Sequence, residues 1–329
     1  MTALHIVFLF FSTLLASLAA TGLMLRFLRR RGIVDTPNER SSHETPIPRG
    51  GGLAVMVVLL AAWGLSLGNA VTSYQWLFIA TVFVGLVSWI DDLRNLSAAI
   101  RLASQFIAVG GVLWLLPSSS LYFHGIFPLW LDNLIAAFLW VWFINLFNFM
   151  DGIDGIAGVE AVSIGLGVFL LTMIGAAEIV QGKLGLIIAA TAFGFLWWNW
   201  QPAKIFLGDV GSVALGFLLG WLLLKILASP VWPAAIILPL YYLVDATLTL
   251  IHRAIKGERV WQAHRQHYYQ YAVQRGLSHA HVSLIIAVTN VVLIGLAYLA
   301  ITYPLPSVFG AIVVVGISLF YMRGSKTAP

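Results

Sequence analysis

A series of long apolar runs constrains this chain more than any other feature. A helix needs about 20 predominantly apolar residues to span the hydrocarbon core of a bilayer, and eleven runs approach that length. The predicted fold class is all-α: a polytopic membrane helical bundle with about eleven transmembrane helices, or ten if the last two runs are not separate spans. The runs are 3–25, 51–68, 75–90, 100–116, 132–149, 156–177, 184–200, 211–228, 233–252, 282–302 and 305–322.

Composition agrees with a membrane protein, since 60% of the residues are hydrophobic and only 9% are charged. A soluble domain carries about 25% charged residues. We expect one integral-membrane domain over 1–329, because a single bundle can hold the whole length. The chain has no cysteine, which excludes disulfides and thiolate metal sites.

Lysine and arginine positions predict the orientation, because cytoplasmic loops of membrane proteins are enriched in both. No basic residue precedes the first run, and 26–31 carries four arginines directly after it. The run is therefore predicted to be a retained span with its N-terminus outside. In this orientation 16 of the 18 Lys and Arg residues face the cytoplasm, and Lys183 and Lys225 do not. The C-terminus and a long loop at 253–281 are then cytoplasmic, and the net charge of +5 reflects topology rather than nucleic-acid binding.

Five polar clusters stand at the ends of the predicted spans, all on the cytoplasmic side. A transporter would place paired charges near the membrane midplane, whereas acids, histidines and arginines at span ends favour an enzyme that handles a water-soluble anion. A sugar or ion transporter and a non-catalytic membrane scaffold remain alternatives. The clusters are 35–52, 91–92, 148–155, 206–212 and 264–267.

Three of these clusters carry carboxylates. Asp91 and Asp92 close the third run, where they are either a solvated helix end or a functional pair. Asp151 and Asp154 are three residues apart, so they share a face if they lie on a helix. Asp209 precedes another run, where it is either a helix cap or a ligand for Mg²⁺, which prefers one or two carboxylates together with water and phosphate oxygens.

The other two clusters are basic. In the HRQH motif (264–267), Arg265 can grip a phosphate, and His264 or His267 can donate to a phosphate oxygen or shuttle a proton. The first inner loop contributes Arg40, His43 and Arg49 and then three glycines at a predicted helix start, a combination suited to a phosphate or a lipid phosphate. The positive-inside rule is the alternative explanation of these arginines.

Two further features lie outside the clusters. Asp245 falls within a span, where a buried acid is either functional or hydrogen-bonded inside the bundle. His279 and His281 are assigned to the membrane interface and given no role.

The order and spacing of the five clusters resemble the polyprenyl-phosphate N-acetylhexosamine-1-phosphate transferase family over nearly the whole chain. The similarity is greatest to bacterial members that start O-antigen and related surface-polysaccharide chains. The matching segments are PNERSSHETPIPRGGG, the Asp91–Asp92 pair, NFMDGIDG, FLGDVGS and HRQH.

This resemblance implies a reaction. Undecaprenyl phosphate attacks the β-phosphorus of a UDP-N-acetylhexosamine, UMP leaves, and a lipid-diphospho-sugar forms in a bacterial inner membrane, with the active site facing the cytoplasm. Mg²⁺ is required, with Mn²⁺ as an alternative, and a homodimer is one oligomeric state that fits. The sugar (GlcNAc, GalNAc, FucNAc or QuiNAc) and the choice between direct attack and a covalent aspartyl intermediate stay open.

The resemblance also implies roles for individual residues. Metal ligands are Asp209 and Asp151. The substrate-binding set is Arg40, His43, Arg49, Arg101, Asn148, Asp154 and Arg265, and the catalytic set is Asp91, Asp92, Asp151, His264 and His267.

Overall fold

The computed structural model describes residues 2–37, 45–116, 121–260, 262 and 264–324. The predicted fold class is confirmed: helices account for nearly all the regular structure in these ranges, with one two-stranded ribbon. The helices are α1 Ala3–Arg31, α2 Gly52–Leu67, α3 Gln75–Arg94, α4 Ala98–Leu115, α5 Leu129–Phe149, α6 Ile156–Met173, α7 Ile179–Asn199, α8 Asp209–Leu227, α9 Pro233–Ile237, α10 Leu240–Ile255, α11 Tyr268–Gln274, α12 His279–Leu299 and α13 Pro304–Arg323.

Nine stretches of the described residues are long and apolar enough to cross a membrane, fewer than the eleven predicted. Gly52–Arg94 counts as one of the nine but contains two predicted spans, α2 and α3, joined by a 3-10 segment at Gly68–Tyr74. The predicted span 233–252 does not qualify, because it is divided into the 5 residues of α9 and the 16 of α10. Pro239 stands at this division, where its ring and missing N–H interrupt a helix.

The centre of the bundle is α8, which is buried along most of its length. Helices α6 and α7 are also mostly buried, whereas α1 is largely exposed. A helix that is apolar on every side is expected in a bundle core or a membrane. The polar clusters lie at the helix ends, around this mainly apolar interior.

Helix ends that alternate along the chain bring the described parts of the five clusters to one end of the bundle, where side chains of neighbouring clusters contact one another. The strands β1 Val34–Asp35 and β2 Ile47–Pro48 pair antiparallel between α1 and α2. The long predicted loop at 253–281 is partly helical, since it contains the end of α10, all of α11 and the start of α12.

Candidate active site

The loop before α2 is joined to the loop before α8 through the backbone. The N–H groups of Gly50 and Gly51 donate to the carbonyl of Phe206 at 3.2 and 2.9 Å, and Gly52 N–H donates to the Leu207 carbonyl at 2.8 Å. A Cβ atom on Gly52 would meet the backbone of Gly211. Glycine is therefore required here so that two helix N-termini can approach each other.

Two carboxylates and one arginine meet at the N-terminus of α8. Arg49 Nη2 lies 2.6 Å from Asp209 Oδ1 and 2.9 Å from Asp92 Oδ1. Burial alone would lower the pKa of Arg49, but the carboxylates of Asp209, Asp92 and Asp35 outweigh burial and raise that pKa above its ordinary value. The guanidinium is therefore a permanent positive charge between two acids.

Asp92 also holds the first turn of α8. Its Oδ1 accepts from the N–H of Asp209 and its Oδ2 from the N–H of Val210, both at 3.0 Å, and only 3% of its side chain is exposed. These N–H groups belong to the first turn of a helix and have no partner within it. The carboxylate thus satisfies two donors and opposes the positive end of the helix dipole.

Asp91 faces a different set of partners. Its Oδ1 accepts from Leu96 N–H at 2.6 Å, and its Oδ2 lies 3.4 Å from Arg101 Nη1. The same Arg101 nitrogen is 4.0 Å from Asp209 Oδ2, and about a third of the Arg101 side chain is exposed. The two adjacent acids therefore support separate parts of one site, and Arg101 lies between Asp91 and Asp209.

The NFMDGIDG segment adds two groups to this site. Asn148 Oδ1 accepts from the Ser212 hydroxyl at 2.7 Å, which ties the end of α5 to the first turn of α8. Burial raises the pKa of Asp151 to about 7; Arg49 opposes this shift, while Asp209 and Asp92 add to it. Asp151 therefore belongs to the same electrostatic cluster.

Asp154 is directed elsewhere. Its carboxylate accepts from Ala203 N–H at 3.0 Å and lies 3.2 Å from His279 Nδ1, while its own carbonyl accepts from the Ser283 hydroxyl. The sequence interpretation gave His279 no role, but the ring joins α12 to the segment before α6. Its position directly after the N-cap Ser278 carries no signal of this contact in the sequence.

His267 is buried beside Asp245. The two side chains are 3.3 Å apart, and Asp245 also accepts from the N–H groups of Tyr268 and Tyr269 at 3.0 and 3.3 Å. Asp245 therefore holds the N-terminus of α11 much as Asp92 holds that of α8. The sequence interpretation left its role open between function and internal hydrogen bonding, and the structure shows the second.

His264 lies next to His267, with ring centroids 4.8 Å apart. The pKa of His264 is lowered to about 4, chiefly by burial and also by the neighbouring His267 and Arg253. The ring is therefore neutral near pH 7. The side chain of Arg253, which the sequence interpretation did not single out, binds the carbonyls of Arg259 and Gln262 and so shapes the loop before the HRQH motif.

Tyr269 connects the HRQH segment to the carboxylate site. Its hydroxyl donates to the Phe149 carbonyl at 3.3 Å, and a Cβ on Gly152 would collide with that hydroxyl. The first glycine of NFMDGIDG thus makes room for a buried tyrosine. Tyr269 also stacks on the His267 ring, with centroids 5.6 Å apart, and so connects the HRQH motif to the NFMDGIDG segment.

The structure therefore separates the predicted site residues into groups. One predicted pair, Arg40 and His43, lies outside the described residues, and Arg265 contributes its backbone carbonyl to Gln274. The residues brought together at α8 are Arg49, Asp91, Asp92, Arg101, Asn148, Asp151 and Asp209. The residues in neighbouring networks are Asp154, His264 and His267.

The donor set at α8 fits a hard divalent cation. Within the described residues no three His, Asp or Glu side chains form a metal-binding group. Mg²⁺ sites in phosphoryl-transfer enzymes commonly use one or two carboxylates and complete the shell with water and substrate phosphates. Asp209 and Asp151 supply such oxygens, and 18% of the Asp209 side chain is exposed.

Comparison with known proteins identifies the family. The model for glycosyl transferase family 4 matches residues 74–227. A phospho-N-acetylmuramoyl-pentapeptide-transferase of Streptomyces avermitilis is 30% identical over 258 residues, covering 62% of this chain and 71% of the relative. This chain belongs to the polyprenyl-phosphate N-acetylhexosamine-1-phosphate transferase family.

Two further relatives of this transferase family align over most of both chains. A probable undecaprenyl-phosphate N-acetylglucosaminyl 1-phosphate transferase of Bacillus subtilis is 28% identical over 296 residues, covering 86% of this chain and 81% of the relative. An undecaprenyl-phosphate alpha-N-acetylglucosaminyl 1-phosphate transferase of Escherichia coli O157:H7 is 28% identical over 302 residues, covering 85% and 81%. The matched family region contains the site carboxylates from Asp91 to Asp209, while Arg49 and the HRQH motif lie outside it.

Proposed function

We propose that this chain transfers N-acetylhexosamine 1-phosphate from a UDP-sugar to a polyprenyl phosphate and releases UMP. Family membership supports a polyprenyl-phosphate sugar-1-phosphate transferase, and the names of its relatives support the polyprenyl phosphate acceptor. The observation that carries the proposal is the convergence of Arg49, Asp92 and Asp209 on the first turn of α8. The carboxylates there would supply oxygens for Mg²⁺, and Arg49, with Arg101 4.0 Å from Asp209, would supply positive charge for a diphosphate.

The proposed chemistry is a direct displacement at phosphorus. An oxygen of the lipid phosphate forms a bond to the β-phosphorus of the UDP-sugar, and the bond from that phosphorus to the bridging oxygen breaks, so the electron pair leaves with UMP. The second pKa of a phosphate monoester is near 6, so the acceptor is mostly dianionic at neutral pH. It needs charge neutralisation more than a base.

The chain's own residues have distinct parts in this scheme. Arg49 and Arg101 offset the charge of the diphosphate and orient it. Asp92 is a positioning residue, because both of its oxygens are engaged by α8 and Arg49. His264, neutral because its pKa is lowered, can donate a hydrogen bond without adding charge.

Asp209 and Asp151 would hold Mg²⁺, which would polarise the phosphoryl oxygens when bound. Asp209 Oδ1 is engaged by Arg49, while its Oδ2 is 4.0 Å from Arg101. We assign Oδ2 as the oxygen that accepts the metal. The Asp151 carboxyl, with its pKa raised to about 7, would lose its proton more readily beside the cation.

The proposed setting is a bacterial inner membrane with the site facing the cytoplasm, where it would meet a soluble nucleotide sugar and a membrane lipid. Initiation of O-antigen or another surface polysaccharide is the pathway role we favour. The preference rests on the similarity of PNERSSHETPIPRGGG and HRQH to that branch of the family.

The test uses the purified chain with radiolabelled UDP-GlcNAc, UDP-GalNAc and related donors, undecaprenyl phosphate, and Mg²⁺ or a chelator. We expect Mg²⁺-dependent transfer of label into a butanol-extractable lipid with one UMP released per transfer. Glu178→Gln is a matched control for substitutions in the site, since Glu178 caps α7 at the other end of the bundle. Absence of lipid-linked label with every donor would refute the proposed function. UMP release equal to the amount of enzyme before lipid is added would refute direct displacement alone, because it indicates a covalent intermediate.

A further inference from the structure

A cavity of about 480 Å³ lies away from the site at α8, between the C-terminal ends of α10 and α13 and the helix α11. Four of its lining side chains are basic: His252, Lys256, Arg275 and Arg323. No Asp or Glu is among the described residues that line it. We name this cavity the basic pocket. It shares none of the carboxylates of the site at α8.

The basic side chains of the pocket have no carboxylate within ion-pair distance in the described part of the chain. Within the described ranges, none of its four basic side chains takes part in an ion pair. Arg275 is fixed in place, because its Nη1 donates to the carbonyls of Tyr321 and Met322 at 3.1 and 2.9 Å. These carbonyls belong to the last turn of α13, where the helix dipole favours a cation. Arg275 thus offsets the negative end of that helix, and Lys256 and Arg323 remain to bind an anion.

The flank of the basic pocket is apolar and exposed. On α10, Leu248, Ile251 and Ile255 are 37%, 48% and 79% exposed. These positions are three and four residues apart and form one stripe, which runs beside His252 and Lys256. An exposed apolar stripe that ends at basic side chains matches a phospholipid, with hydrocarbon along the helix and phosphate at its end.

We propose that the basic pocket binds the headgroup of an anionic membrane phospholipid whose acyl chains lie along the α10 stripe. Basic pockets between transmembrane helices on the cytoplasmic side are suited to anionic headgroups. A zwitterionic headgroup would bring a cation into a cavity that already holds several. Free phosphate would match the charge but would leave the stripe uncovered.

Tyr268 and Tyr271 complete the headgroup region. Both line the basic pocket, and amphipathic aromatic rings settle at the level of lipid headgroups. Tyr268 also donates its backbone N–H to Asp245 at 3.0 Å. A bound headgroup would therefore contact the same helix start that holds His267.

The test measures binding of phosphatidylglycerol and of phosphatidylcholine to the full purified chain in mixed micelles, by native mass spectrometry. The test variant is Lys256→Gln/Arg323→Gln, which spares Arg275 and its helix contacts. At about 1 kcal/mol for each cation that contacts the headgroup, each charge of the basic pocket contributes about fivefold to the affinity for anionic lipid. We expect phosphatidylglycerol binding about 25-fold weaker in the variant, phosphatidylcholine binding unchanged, and no displacement by millimolar inorganic phosphate.

The matched control is Arg29→Gln/Arg30→Gln, which removes the same charge from exposed positions at the end of α1. It should bind phosphatidylglycerol like the unmodified chain, and thermal unfolding of both variants confirms that they are folded. Equal losses in the two variants would overturn the proposal in favour of diffuse surface charge. Displacement of the lipid by inorganic phosphate would overturn it in favour of a free-phosphate site.

Discussion

Replacement of Asp92 by Asn separates a positioning role for this residue from a role as general base. The carboxylate accepts two backbone N–H groups at 3.0 Å and contacts Arg49 at 2.9 Å, with 3% of the side chain exposed. An amide retains one acceptor oxygen but points its own N–H₂ toward a backbone donor or toward the guanidinium. The change leaves a buried donor unsatisfied and removes one member of a charge pair.

The magnitude follows from these contacts. Hydrogen bonds to charged groups contribute about 1.5–3 kcal/mol each, and Arg49 keeps Asp209 as a partner at 2.6 Å, so its charge is not left unpaired. We expect Asp92→Asn to lower the free energy of unfolding by about 1.5–3 kcal/mol and to reduce transfer activity by the same factor at pH 6 and at pH 8.

The assay pairs thermal unfolding in detergent with the radiolabel transfer measured across that pH range. Glu178→Gln controls for loss of one carboxylate, because its amide oxygen can still accept the bond that caps α7. An Asp92→Asn protein that unfolds at the unmodified temperature and regains activity at pH 8 would refute the positioning role and favour a general base.

Three further predictions concern the metal, the buried acid and the topology. Asp209→Asn should lower transfer at least 100-fold and weaken Mg²⁺ dependence; turnover near that of the unmodified chain would leave Asp209 only a partner of Arg49. Burial raises the pKa of Asp151 to about 7, so folding becomes less favourable as the pH rises from 4 through 7. Without metal, the free energy of unfolding of Asp151→Asn should therefore rise by on the order of 1–4 kcal/mol relative to that of the unmodified chain over this pH interval. Equal pH profiles of the two proteins in thermal unfolding would contradict this. Since the chain lacks cysteine, cysteines at the exposed positions Ser73 and Ala99 can report sidedness: an impermeant reagent should label the first and not the second in intact cells, and the reverse pattern would invert the predicted orientation.

The sequence was sufficient for the fold class and for the placement of the polar clusters at helix ends. Both follow from physical requirements that act along the chain. A bilayer requires runs of about 20 apolar residues in helices, and charged side chains are costly inside it. Acids and histidines are therefore confined to the short segments between runs.

The number of spans was less accessible to sequence reasoning. The apolar run 233–252 has the composition of a span, but Pro239 divides it into α9 and α10. Apolar composition indicates that a segment is buried in lipid or protein. Helix continuity depends instead on backbone hydrogen bonds, and proline removes one of them.

The tertiary structure alone decided what each aspartate does. Asp91 and Asp92 are neighbours in sequence, yet one binds Leu96 and Arg101 while the other holds the start of α8. A carboxylate has the same chemistry whether it caps a distant helix or faces a substrate. Its role is set by which backbone N–H groups or charges the packing of other helices brings within about 3 Å, and those partners stand up to 160 positions away in the chain.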